Sequence, residues 1–134
     1  MPKNVYFKRA SKGGPDKSPE FSFFLVGGGS GTGEPSSPIK SLLTTHDKSK
    51  GHGASNRGRH SNPKMDALLV KALATVDDDA RAKLLAEATE IGIGEDQGII
   101  PLHYQVNTWA TRKGLKYNAR ADESTRGLDL IKAN

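Results

Sequence analysis

The clearest hydrophobic pattern lies in the second half of the chain. Met65, Leu68, Leu69, Ala72 and Leu73 recur at the three- and four-residue spacing of one helix face. Asn62, just before them, is a capping residue type. Pro63 suits the first helical position, where a missing N–H leaves no bond unmade. A second helix is predicted within DDDARAKLLAEATEI. Asp77, Asp78 and Asp79 lie near its positive end, and Leu84, Leu85, Ala88 and Ile91 form its inner face. Gly92 and Gly94 weaken or end it. The short link between these segments predicts an antiparallel helical hairpin.

The flanking patterns are less periodic. Near the start, Pro2 suits a first helical turn and NVYFKRA predicts a short helix, followed by turn chemistry in KGGPDKSPE. Phe21 to Val26 is a continuous apolar run, which predicts a buried strand leading into a glycine-rich loop. In SSPIKSLLTTH, Ser37 suits a cap and Pro38 a first helical residue, with Ile39, Leu42 and Leu43 on one face. After the hairpin, GIIPLHYQVNTWATRKG reads as an extended segment. Ile99 and Ile100 point to burial, Leu102, Tyr104, Val106 and Thr108 alternate, and Pro101 argues for an edge, a bulge or a crossing between layers. Tyr104 and Trp109 are expected in the core rather than at an interface. No internal repeat is present.

Composition narrows the classes. The 134 residues suit one domain or part of one, and a hydrophobic content of 34% permits a modest core. No apolar run approaches the length of a membrane span, and MPKNVYFKRASKGG lacks the apolar centre of a secretory signal. With no cysteine there is neither a disulfide framework nor a thiolate metal site, which fits an oxidising compartment as well as the cytosol. The net charge of +5 is concentrated in HDKSKGHGASNRGRH, His46 to His60, which holds Lys48, Lys50, Arg57 and Arg59 but no aromatic residue. Single-strand nucleic-acid binding calls for aromatic platforms beside the positive charge. A solvated surface loop is therefore the first reading, although its length hints at a functional or partner-covered segment.

The glycine loop, GGGSGTGEP, has the outline of a phosphate-binding turn but not its chemistry. A triphosphate loop needs a lysine and then a Ser or Thr after its last glycine, and Glu34 stands there instead. The three spaced glycines of a dinucleotide loop also fail, because the third place holds Thr32 or Glu34 depending on the frame. Two readings remain: a flexible connector, or the wall of a cleft for another solute at the end of a strand. The histidines His46, His52, His60 and His103 show no paired metal-ligand spacing, and Ser30 has no nucleophile-elbow context. Neither a metal, a cofactor nor catalytic activity is expected.

The stretch SNPKMDALLVKALATVDDDARAKLLAEATEIGIGEDQGIIPLHYQVNTWATRKGLKY closely resembles the C-terminal part of family 5 extracytoplasmic solute-binding proteins. These are the oligopeptide, dipeptide and nickel receptors of ABC importers. The resemblance rests on Asn62, Pro63, Asp66, Leu68 and Leu69 in one helix. It rests also on Asp79, Arg81, Leu84, Glu87, Ala88 and Ile91 in the next, and on Pro101, Leu102, Tyr104 and Asn107 beyond. Phe21 to Pro35 resembles the family's strand, glycine loop and following turn. No single motif is decisive; their order and spacing together are specific.

The resemblance implies an α/β fold: a fragment of the second lobe of a two-lobed periplasmic-binding-protein-like fold, a helical hairpin packed on a small mixed sheet. Residues 1–98 would belong to that lobe, and 99–134 to a hinge-crossing strand and tail returning to the first. It implies a truncated gene product, a proteolytic piece or an expressed fragment of a periplasmic or lipid-anchored protein. The implied partners are a small, peptide-like solute and an inner-membrane ABC permease, with no nucleic acid, and the fragment is expected to self-associate. The implied solute-contacting residues are Gly27, Gly28, Gly29, Ser30, Gly31, Thr32 and Glu34. Gly28 stands where peptide-binding members usually carry Trp, and Gly31 roughly where many carry Asp, so two side chains that define a peptide pocket are missing. The N–H groups of Gly29 to Gly31 suit an anionic group, whereas Glu34 suits a cationic one. The alternative is a stand-alone basic module that binds nucleic acid or protein through His46 to His60.

Overall fold

A computed structural model of the chain describes residues 1–120, 122 and 124–133. Among the described residues there are four α-helices: α1 (Lys3–Lys12), α2 (Ser36–Leu42), α3 (Pro63–Ala74) and α4 (Asp78–Thr89). A two-stranded antiparallel sheet, β1 (Leu115–Tyr117) with β2 (Leu130–Lys132), lies near the C-terminus. The architecture is therefore mixed helix and sheet. The sheet is antiparallel rather than mixed, and none of its residues belongs to the buried core cluster.

α3 and α4 form the predicted hairpin. The Asn62 side chain accepts from the N–H groups of Lys64 and Met65, and Asp77 caps α4 by accepting from Ala80 N–H. The two helices run antiparallel, with Lys64 paired to Glu87 across one end and Arg81 donating to the Ala72 carbonyl across the other. Met65, Leu69 and Ala72 of α3 meet Leu85 and Ala88 of α4, and Ile39 and Leu43 close the core from the α2 side. Leu73 is exposed, because the buried stripe is narrower than the apolar pattern. α4 does not stop at Gly92. It widens into a π-helical turn, Glu90–Glu95, that buries Ile91 and Gly92. A Cβ on Gly92 would stand 2.8 Å from Met65 Sδ and 3.2 Å from Leu43 Cδ1, so the absent side chain permits this close approach.

α2 begins two residues before the expected start. Pro35 occupies the cap position, Ser36 opens the helix, and Pro38 lies in the first turn, where its lack of an N–H leaves no helical bond unmade.

Two expected extended elements differ more. Phe21 to Val26 is not a strand and is not buried as one. It has no ladder partner among the described residues, and it lies along α1 instead. Phe21 and Phe24 pack their rings on Tyr6 at 5.6 and 6.0 Å between centroids. The Tyr6 hydroxyl donates to the Leu25 carbonyl and accepts from the Leu25 N–H, taking the place of a neighbouring strand. Residues 99–112 likewise form no strand. Ile99 packs against the core, but Ile100, Leu102 and Val106 are exposed and Tyr104 is 99% exposed, contrary to the expected core position. Trp109 is half-buried, tilted against Tyr117 with ring centres 5.3 Å apart and donating from Nε1 to Thr125 Oγ1.

The basic segment is tied down rather than freely solvated. Asn56 is its buried centre, donating to the carbonyls of Thr44 and His60 and accepting from His60 N–H. Asp47 organises the tip, accepting from Ser49 N–H and Oγ–H and from Lys50 N–H. These bonds, led by that from the Ser49 hydroxyl, pull the Asp47 carboxyl down to about 2.

Candidate solute site

The glycine loop is irregular between two anchors. Tyr6 holds Leu25 at its start, and the ion pair of Glu34 with Arg81 holds its end. Gly33, at φ +77°, makes the last bend in a conformation that disfavours a side chain. Between the anchors, Ser30 Oγ and Thr32 Oγ1 lie 3.0 Å apart and hydrogen-bond each other.

The loop divides between two open hollows. Gly27, Gly28 and Gly29 line one of about 330 Å³, together with Phe7 of α1, Leu42 of α2 and Arg57 of the basic segment. Ser30, Gly31, Thr32 and Gly33 line another of about 450 Å³, beside Arg120 and Asp122. The larger hollow is chemically quieter, because its charges neutralise each other. Arg120 donates from Nε and Nη2 to the two Asp122 oxygens at 2.9 and 2.7 Å. That guanidinium, with the Ser124 N–H, holds the Asp122 carboxyl well below its usual range.

Glu34 lines neither hollow. Both of its carboxylate oxygens accept from Arg81, at 3.1 and 2.9 Å. The Arg81 guanidinium, and then Ser36, lower its carboxyl below the usual glutamate range. Its charge is paired within the chain, with Arg81.

Arg57 is the residue that sequence reading placed wrongly. Within a basic segment it looked like solvated charge, but it turns inward. Its Nε donates to Ser11 Oγ and its Nη1 to the Ser55 carbonyl, each at 3.0 Å. The guanidinium carbon lies 5.5 Å from the Phe7 ring centre and 5.9 Å from that of Phe24. Phe7 and Ser41, which line the same hollow as Arg57, carry no local signal of it, since nothing marks a phenylalanine in a short helix as a wall of a distant loop.

No protein-family model, curated protein or solved structure matches the chain.

Two histidines, His46 and His60, serve the fold. His60 Nδ1 is 2.6 Å from the Leu43 carbonyl oxygen and Nε2 is 2.8 Å from Asp96 Oδ2. Asn62 Nδ2 donates to the same Asp96 oxygen, and His60 and Asn62 together hold the Asp96 carboxyl below its ordinary value. His46 Nδ1 lies 3.1 Å from the Gly53 carbonyl. Among the described residues no group of three or more His, Asp or Glu side chains is placed to hold a metal ion, and no helix is long and apolar enough to cross a membrane.

Proposed function

We propose that the chain forms part of the second lobe of an extracytoplasmic solute-binding receptor for an ABC importer, and that its glycine loop contributes one wall of the solute cleft. The observation that carries the reading is the hollow bounded by Gly27 to Gly29, Phe7 and Arg57. It combines apolar surface, open backbone and a single cation, the mixture typical of small-molecule sites. The order and spacing of the motifs in the hairpin support the same reading. So does the exposed apolar row of Ile100, Leu102, Tyr104 and Val106, which suits a segment covered by another lobe.

On this proposal the intact receptor closes two lobes on a peptide-like solute and then docks on an inner-membrane permease, without catalysis. The tying of Arg57 to Ser11 and Ser55 favours it over a basic interaction module, because it commits that cation to the wall of the hollow. The test is a ligand screen by thermal shift on the intact gene product, using short peptides and nickel. Saturable stabilisation by one of these, alongside an upstream reading frame encoding a first lobe and an export signal, is expected. An unrelated upstream gene and tight binding of oligonucleotides instead would overturn the proposal.

A further inference from the structure

Arg57 is a half-buried cation with a hydrogen-bond donor to spare. None of the ion pairs among the described residues involves it. Its Nε and Nη1 are spent on Ser11 and Ser55, and its Nη2 meets no protein acceptor among the described residues. A half-buried guanidinium without a counter-charge is a ready partner for an anion. The two neutral bonds and the flanking rings of Phe7 and Phe24 fix its plane, so little freedom remains to be lost when an anion binds.

The surroundings say what kind of anion. The Ser37 and Ser41 hydroxyls also line the hollow and make no side-chain hydrogen bond among the described residues, so two further donors are free. Phe7, Val26, Pro38 and Leu42 supply apolar surface beside them. The glycines keep the space open: a Cβ on Gly28 would stand 3.5 Å from Leu42 Cδ1, and one on Gly29 would meet nothing within 4 Å. A bare inorganic anion would use the donors and leave the apolar wall wet.

We infer that the Arg57 hollow is a subsite for the carboxylate of a small organic solute whose apolar portion lies on Phe7 and Leu42. The inference rests on the solute-cleft reading and adds the chemical class. Arg57 donates from Nη2 to a carboxylate oxygen, the Ser41 hydroxyl donates a second hydrogen bond, and the aliphatic or aromatic part of the solute displaces water from the apolar wall.

The experiment is a titration of the isotopically labelled chain, followed by NMR amide and Arg57 Nε–H shifts. The probes are N-acetyl-leucine, its neutral amide and inorganic phosphate. The acid is expected to shift the Gly27 to Gly29 resonances saturably in the millimolar range, with the amide and phosphate each at least about tenfold weaker. Arg57→Gln is expected to abolish the difference between acid and amide. Ser41→Ala, which leaves the Arg57 contacts intact, is expected to weaken the acid about threefold. Equal shifts by acid and amide at Gly27 to Gly29 would overturn the carboxylate assignment while leaving the solute cleft standing. Phosphate binding as well as the acid would overturn the role of the apolar wall. No shift at these glycines with any probe would overturn the subsite, and the peptide screen on the intact protein would then decide the cleft by itself.

Discussion

Arg81 holds Glu34 in a two-pronged ion pair and, with its remaining nitrogen, donates to the carbonyl of Ala72 at 3.1 Å. One guanidinium thus joins the end of the glycine loop, the C-terminal turn of α3 and the first turn of α4. The joint matters for the candidate site, because it fixes where the loop leaves the hollow and enters α2.

The two residues should therefore be energetically coupled. Arg81→Gln is expected to lower the urea midpoint more than Glu34→Gln, since it also strips the Ala72 carbonyl of its donor. The double variant should be no worse than Arg81→Gln alone. Arg81→Lys should rescue little, because an ammonium cannot reproduce the fork. Additive effects in this cycle would show that the pair is not the joint described.

Acid should loosen the same joint. Glu34, Asp47 and Asp96 all have lowered carboxyl values in the folded chain, held by Arg81, by Ser49 and by His60 respectively. A depressed folded value means that the unfolded chain binds protons first. The contribution is complete above the unfolded values of about 4 and is lost as pH falls towards the folded ones. Urea midpoints are expected to fall steadily between about pH 4 and pH 2. Asp47→Asn should remove part of the slope at the low end. A midpoint that stays flat over this range would contradict the assignment.

Two glycines in one turn should respond very differently to the same change. At Gly92 a methyl meets Met65 and Leu43, both essentially without exposed surface, so neither can retreat. Gly92→Ala is expected to cost about 1–3 kcal/mol. At Gly94 the methyl meets only the end of the Glu90 side chain, which can swing away, and Gly94→Ala should lie within about 0.5 kcal/mol of the parent. Thermal melts of the two variants side by side provide the measurement.

Asn56 should be the weak point of the basic segment. Its side chain satisfies the carbonyls of Thr44 and His60 from a site that is 5% exposed. Asn56→Ala leaves both carbonyls unpaired and is expected to cost about 1–3 kcal/mol. Hydrogen exchange should accelerate over Thr44 to His60 while α3 and α4 stay protected. Uniform acceleration across the whole chain would instead mean that the segment and the hairpin unfold as one unit.

Exposed apolar side chains should bring copies of the chain together. Phe23 is 69% exposed and Val106 is 84% exposed, in two segments without strand partners. Light scattering over a dilution series is expected to show a dimer or larger species that dissociates on dilution, and Phe23→Ser with Val106→Ser to shift it towards monomer. A parent chain that stays monomeric at high concentration would rule this out.

The helical hairpin was determined by the sequence alone. Its hydrogen bonds are local, its caps Asn62 and Asp77 lie next to the elements they start, and a stripe at helical spacing needs only one apolar neighbour to be buried. The short helix at Lys3–Lys12 was legible for the same reason. Phe21 to Val26 was not, because a strand exists only where a second segment supplies its ladder. Here the rings of α1 and the Tyr6 hydroxyl offered a different partner. The candidate site was divided in the same way. The glycines marked their loop as a place of open backbone, but only the tertiary structure carried Arg57 and Phe7 to it and turned Glu34 away to Arg81. Local spacing cannot encode such meetings. They depend on which distant side chains the closing of the core brings within a few ångströms.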